Sequence, residues 1–282
     1  MLELPEAAVI SEQCRSILIG KTIESAVAGH SPHGFAFYEG DPALYGDMLR
    51  GKTLRSAEAY GGRVELLADD MVLSFNDGVN LRYLRPEEKE PPKHQFFARF
   101  SDGSAFYATV QMYGGLLCFP EGTSDNFYVT VAYEKPSPLT EAFDETYFEK
   151  LLSEASPKLS AKAFLATEQR IPGLGNGCLQ DILWRSKIHP KRKLSTLSDG
   201  ELNGLFSELK STLRCMTDKG GRDTEKDFFG NVGGYITVMS RKNEAGLCPV
   251  CGGIIRRLSY LGGNVYVCDG CQKETSAAGS KR

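Results

Sequence analysis

The sequence predicts an α+β chain: a β-rich first half, a helical second half and a cysteine-bearing hairpin at the end. Three observations carry this. Between residues 22 and 134, short β-prone runs alternate with turn signals. After a proline-containing linker at 135–140 (KPSPLT), apolar residues recur at helical spacing. Cys248-x-x-Cys251 and Cys268-x-x-Cys271 then stand sixteen residues apart.

A first helix opens at Pro5, with Glu6 in its first turn, both favourable where backbone N–H groups lack partners. Ile10, Cys14, Ile17 and Leu18 form its apolar stripe, which stops before Gly20. Strands are expected at 22–28, 63–68, 71–75, 96–100, 104–110, 115–119 and 127–133, with turns at Asp69-Asp70 and Ser101-Asp102-Gly103. Many short strands with tight turns suggest a sandwich or partial barrel. The charged, proline-containing segment 86–94 is a loop.

Past the linker, Phe148, Leu151, Leu152 and Ala155 share one helix face. A later helix starts at a capping box, Ser198-x-x-Glu201, buries Leu202, Leu205, Phe206, Leu209 and Leu213, and stops at Gly220-Gly221. Between them lies KAFLATEQRIPGLGNGCLQDILWRSKIHP, residues 162–190. Its glycine-rich turn precedes a helix with Leu179, Ile182 and Leu183 inward, so backbone N–H groups and a positive helix end can meet a phosphate. Gly175 and Asn176 sit at that turn, and Lys158 and Lys162 just before it are phosphate candidates. A helix connection without function fits the same glycines.

The two Cys-x-x-Cys pairs flank GGIIRRLSYLGGNVYV, with glycines beside each knuckle and β-prone residues between. Four thiolates so placed can hold one zinc ion tetrahedrally and would leave it no open position, so a structural zinc site is expected, with a disulfide framework as the alternative. The remaining cysteines, Cys14, Cys118, Cys178 and Cys215, lie among apolar neighbours and are expected in the core.

At 282 residues the chain is long enough for separate domains, expected at 1–134, 135–240 and 241–275. No apolar run approaches the ~20 residues of a membrane span, and MLELPEAAV lacks the order of a secretory signal. A soluble cytoplasmic protein is expected. Charge divides the chain: residues 1–155 carry 13 Lys+Arg against 24 Asp+Glu, residues 156–282 carry 20 against 12. The basic second half suits a polyanion, and the acidic first half suits a basic protein partner.

Three segments together resemble the formamidopyrimidine-DNA glycosylase/endonuclease VIII family. MLELPE is similar to its MPELPE start. PGLGNGCLQDILWRSKIHP resembles its helix–two-turns–helix, and VCDGCQK its terminal zinc finger. Gly220-Gly221, Asp227-Phe228 and Gly234-Tyr235 fill family positions between them. The resemblance implies an N-terminal β-sandwich flanked by helices, then a helical domain with the helix–two-turns–helix and a zinc-ribbon β-hairpin. It also implies binding of damaged double-stranded DNA with the damaged base turned out of the stack. A proline amine at position 2 would form a Schiff base with the sugar, Glu3 would assist with protons, and Asn176, Tyr235 and the ribbon would hold DNA.

The departures fall on that chemistry. Position 2 is Leu2. The family's hairpin lysine aligns near Gly61 or Gly62, with Arg63 beside them. The residues that fill the gap left by the extruded base align near 76–77 and 111–113, where Met112 and Tyr113 are the wedges and the family's arginine is missing. The ribbon arginine aligns near Gly263, and Arg256 and Arg257 are the cations available to compensate or to serve as ordinary surface charges. The expected function is DNA binding with base excision reduced or lost. An active glycosylase/AP lyase and a protein-interaction module are the alternatives.

Overall fold

The computed structural model describes residues 1–274; the tail TSAAGSKR (275–282), expected to be disordered, lies outside the described residues. The chain forms two compact units: Met1–Glu134 with Met216–Tyr235, and Lys135–Cys215 with the residues from Ile236 onward. Among the described residues no helix is long and apolar enough to cross a membrane.

The first unit is a β-sandwich. One sheet runs β1 (Ile23–Ala28), β7 (Phe96–Phe100), β8 (Ala105–Val110), β6 (Val79–Leu84), antiparallel throughout. The other runs β2 (Ala36–Phe37), β9 (Gly114–Pro120), β5 (Met71–Asn76), β4 (Arg63–Ala68), β3 (Leu54–Tyr60), with β2 parallel to β9 and the rest antiparallel. Alternation places Phe106, Ala108 and Val110 inward from β8. The sheets meet through aromatic rings, Phe75 lying 5.5 Å from Phe96 and 6.0 Å from Phe106. Helix α1 (Leu4–Leu18) adds Ile10, Cys14 and Leu18 to the same core, and the short helix α2 (Tyr45–Leu49) adds Tyr45 and Leu49.

The expected strand at 127–133 is instead a helix, α3 (Phe127–Glu134). Its Val-Thr-Val run favours a strand, but local capping and packing override that preference. The Asn126 side chain accepts from the Tyr128 N–H at 3.0 Å, and its carbonyl from Val129 and Thr130. Val129 then packs on Val72, Leu117 and Phe119 from the outer face of the second sheet. The sequence reading passes over β2, β3, β6 and α2; β3 (LRSAEAY) carries alanines and charges where β-branched residues would mark a strand.

The segment Met216–Tyr235, grouped with 135–240 from sequence, packs with the first unit because Phe228 enters the sandwich core. In the second unit, α4 (Glu145–Glu154), α5 (Ala161–Ala166) and α7 (Asp199–Asp218) bring Phe148, Phe164 and Phe206 together with Phe143, and α6 (Asn176–Arg185) packs against α5. The capping box forms: the Glu201 N–H donates to Ser198 Oγ at 3.3 Å, and the Ser198 N–H to Glu201 Oε2 at 2.9 Å. Gly220 and Gly221 take positive φ (74° and 99°) where α7 stops, a conformation open to residues without Cβ. β10 (Ile255–Tyr260) and β11 (Gly263–Cys268) make the terminal hairpin.

Phe106→Ala is expected to destabilise the sandwich by about 3–5 kcal/mol. Urea denaturation should show a lower midpoint at unchanged slope.

Candidate functional sites in the two units

In the first unit, the start of α1 meets a buried guanidinium. Arg222 is 2% exposed. It donates to Glu6 from Nε (2.9 Å), Nη2 (2.7 Å) and its backbone N–H (3.1 Å), and to Glu3 Oε1 from Nη1 (3.2 Å). Two buried carboxylates thus share one cation, so Glu6 is a structural partner as well as a charge at a helix start. Leu2 is 4% exposed, its side chain in the sandwich core. Its N–H donates to the Asp77 carbonyl at 2.6 Å, and the Met1 ammonium pairs with Glu225. The cavity beside Leu2, lined also by Met1, Glu6 and Glu225, measures about 10 Å³, room for about one water at most.

Backbone bonds lock two turns together next to this point. Gly78 N–H donates to the Tyr113 carbonyl (2.9 Å), Gln111 N–H to the Gly78 carbonyl (3.0 Å) and Gly115 N–H to Asn76 Oδ1 (2.7 Å). A Cβ at Gly78 would stand 2.4 Å from the Tyr113 oxygen, so only glycine fits. The lock presents Met112 and Tyr113 to solvent, 60% and 46% exposed. Burial raises the Tyr113 phenol, and the negative charges of Asp77 and Glu3 raise it further. Asp77 is itself raised by burial, against the pull of Arg63. The unit therefore gathers Leu2, Glu3, Asp77 and Tyr113.

At the hairpin tip near which the lysine was expected from the resemblance, Gly61 and Gly62 make the turn between β3 and β4, Gly61 at φ 58°. Arg63 does not stand in for the lysine. It is buried and bonded to Glu65 (3.2 Å) and Ser74 Oγ (2.5 Å). Tyr235 is also in this unit, hydrogen-bonded through its backbone to Gly221 and Asp223, with Lys219 Nζ 6.0 Å from its ring centroid.

In the second unit, α6 organises the other candidates. Gly175 is its N-cap. Asn176 Nδ2 donates to the Asn264 carbonyl at the hairpin tip (2.7 Å), while its Oδ1 is buried with no partner among the described residues. Lys162 Nζ donates to the Tyr260 carbonyl (2.6 Å), and burial lowers its pKa. A Cβ at Gly263 would lie 3.8 Å from Asn176 Nδ2 and 3.9 Å from Lys162 Nζ. An ammonium and a carboxamide thus stand beside Gly263, near which the sequence resemblance sets the family's ribbon arginine. Lys191, missed from sequence, reaches the same tip with Nζ 5.8 Å from the Tyr260 ring centroid. Its signal was the Lys191-Arg192-Lys193 run after Ile188-His189-Pro190.

Lys158 is exposed in the turn before α5. Arg256 bonds Asp269 (2.6 Å) and Arg257 pairs with Glu244 (3.3 Å), so each already has a carboxylate on its own hairpin or beside it.

The four cysteines converge, their sulfurs all within 4.8 Å of one another: Cys248–Cys271 is 3.7 Å and Cys251–Cys268 is 3.3 Å. A tetrahedral metal with ~2.3 Å bonds to sulfur places its ligands about 3.8 Å apart. Burial opposes the Cys248 thiolate, but backbone N–H groups of Cys251 and Val250, together with neighbouring side chains, outweigh it and bring the thiol to about 6. Cys271, raised by burial and then by its sulfur neighbours, stands at about 12. Four thiolates this close repel, and a shared cation is what lets all four ionise. The donor set fits one metal ion. Below it, Gln180 Oε1 accepts from the Tyr266 N–H (2.7 Å), and Asp181 from the N–H groups of Val238 (3.0 Å) and Met239 (2.6 Å).

A sandwich, a helical unit and a four-cysteine hairpin define the class, and comparison with known proteins agrees. The family model "Formamidopyrimidine-DNA glycosylase H2TH domain" matches residues 135–226. The chain is 26% identical over 280 residues to the formamidopyrimidine-DNA glycosylase of Bacillus cereus, covering 96% of this chain and 99% of that one. It is 29% identical over 296 residues to that of Lactobacillus delbrueckii subsp. bulgaricus, covering 97% and 100%. Among solved structures, the fold is similar to Lactococcus lactis Fpg in a complex with abasic-site DNA (TM-score 0.80, 21% identity, covering 96% and 99%). It is also similar to the MutM (Fpg) protein of Thermus thermophilus (TM-score 0.79, 21% identity, covering 97% and 100%). Residues 135–226 thus match that family's H2TH domain, the whole chain is similar in sequence to formamidopyrimidine-DNA glycosylases, and it shares the fold of the solved Fpg structures.

Replacing Arg222 by Met should destabilise the first unit by about 3–5 kcal/mol, because Glu3 and Glu6 lose a buried partner. Adding Glu3→Gln and Glu6→Gln should recover part of that loss in thermal unfolding.

Proposed function

We propose that this chain binds damaged double-stranded DNA through its second unit, with base excision reduced or lost. The observation that carries the reading is at position 2. The family resemblance puts a nucleophilic proline there, whereas Leu2 has no secondary amine and its side chain is core. An amine at Met1 stands one residue away, roughly 3.5 Å along the chain, a displacement that matters for a bond-forming atom. That amine is also engaged with Glu225, and Glu3 with Arg222.

DNA binding rests on groups that remain. The N-terminal end of α6, Asn176, Lys162 and Lys191 offer hydrogen bonds and positive charge at one hairpin tip, the donor chemistry that holds phosphate. Met112 and Tyr113 are the wedges proposed to fill the gap left by an extruded base. Lys158, Tyr235, Arg256 and Arg257 are proposed as secondary contacts, the two arginines only by exchanging carboxylate for phosphate. Zinc is the proposed metal, because four thiolates in a tetrahedral set are its structural site.

The second reading is an active glycosylase/AP lyase that uses a primary amine. Retention of Glu3 beside Asp77 and Tyr113 favours it. Its amine would add to C1′ of the opened sugar and lose water to form a Schiff base, which borohydride reduces to a stable adduct.

Incubation with abasic-site DNA and borohydride should therefore yield no covalent adduct; a trapped complex would overturn the inactive reading. Affinity for the same DNA should fall steeply between ~50 and 200 mM salt. Asn176→Ala should weaken it by about 1–2 kcal/mol, and Lys162→Ala should reduce the salt slope by about 1. For the metal, elemental analysis should find about one zinc per chain, and chelation should unfold the hairpin; a metal-free hairpin that keeps its structure would refute zinc.

A further inference from the structure

The outer face of the second sheet carries a cavity of about 380 Å³ that the DNA reading does not use. Its walls are Glu58 and Tyr60 of β3, Glu65 of β4, Glu121 after β9 and Tyr133 of α3, over a floor that includes Leu67. Glu58 and Glu65 are directly opposite in the antiparallel β3–β4 register. Like charges facing each other across a ladder are destabilising, so this pair calls for a compensating cation. Arg15 supplies one to Glu58 (2.9 Å) and Arg63 one to Glu65 (3.2 Å). Glu121 has no ion pair among the described residues, leaving one carboxylate in excess.

The aromatic walls carry the second observation. The rings of Tyr60 and Tyr133 meet at 84° with centroids 4.7 Å apart, two sides of a corner. Tyr133 donates its hydroxyl hydrogen to Glu65 Oε2 at 2.6 Å, which fixes the ring. Burial raises the Tyr60 phenol, and the charges of Glu65, Glu58 and Glu121 raise it further, so these carboxylates act together on this space. Electron-rich ring faces attract organic cations, and a carboxylate beside them adds a charged hydrogen-bond acceptor.

We infer that this cavity binds an alkylammonium or guanidinium group, with Tyr60 and Tyr133 as the aromatic corner and Glu121 as its counter-ion. The group comes either from a free amine or from a lysine or arginine side chain of a basic partner.

The test is a ¹H–¹⁵N NMR titration of the full chain with n-butylammonium, with neutral n-pentanol and with an acetylated lysine–glycine heptapeptide. Saturable shifts are expected at the amides of Glu58, Tyr60 and Gly122 with butylammonium and not with pentanol. Affinity should drop at least fivefold in the double variant Tyr60→Ala/Glu121→Gln and stay unchanged in Glu24→Gln, which removes an exposed carboxylate elsewhere on the sandwich. If the double variant does not fold, Glu121→Gln alone, at an exposed position, should still cost about threefold. Tighter binding of the peptide at the same amides assigns the site to a partner side chain; equal or tighter binding of butylammonium assigns it to a free amine. Equal binding of pentanol, shifts scattered over the surface, or unchanged affinity in the Glu121 variants overturns the inference.

Discussion

The first unit depends on one interior ion cluster. Arg222 sits between Glu3 and Glu6, and its desolvation is tolerable only because both carboxylates and their hydrogen bonds surround it. The cluster joins residues more than two hundred positions apart, and it explains why the segment around Arg222 belongs with the sandwich. It also fixes the electrostatic setting of Glu3.

In the second unit α6 plays the corresponding part. Its apolar face, Leu179, Ile182 and Leu183, fills the helical core. Its polar residues Gln180 and Asp181 satisfy backbone N–H groups of the chain leading to and through the hairpin. Asn176, at its first position, reaches the hairpin tip. One ten-residue helix therefore sets the spacing between a glycine-rich turn and the four-cysteine hairpin, and the Lys162 ammonium is positioned by the same hairpin's carbonyl.

Much of this was legible in the sequence where local chemistry decides the outcome. Cys-x-x-Cys spacing, the Ser198/Glu201 capping box and the Gly220-Gly221 stop are short-range signals, and each forms as read. The helix at 127–134 was not legible, because Val129 and Val131 favour a strand and only Asn126 and the apolar sheet beneath them decide otherwise. Strand β3 was hidden by its alanines and charges, its place fixed by pairing with β4. At the candidate sites, the identities of Asn176 and Lys162 could be read from a motif, but their convergence on the turn at Gly263 is a long-range fact. Lys191 was visible only as a basic run. The partnering of Arg256 and Arg257 by Asp269 and Glu244 depends on how the hairpin folds, which composition does not encode.

The chain has a single tryptophan, and its location has a practical consequence. Trp184, at the end of α6, packs in one cluster with Cys248, Cys268, Tyr266 and Met239. Thiolate sulfur is an effective quencher of indole excited states, so the emission of this indole is coupled to the condition of the sulfurs packed with it. The molecule carries an intrinsic optical gauge of its own hairpin, readable without a label.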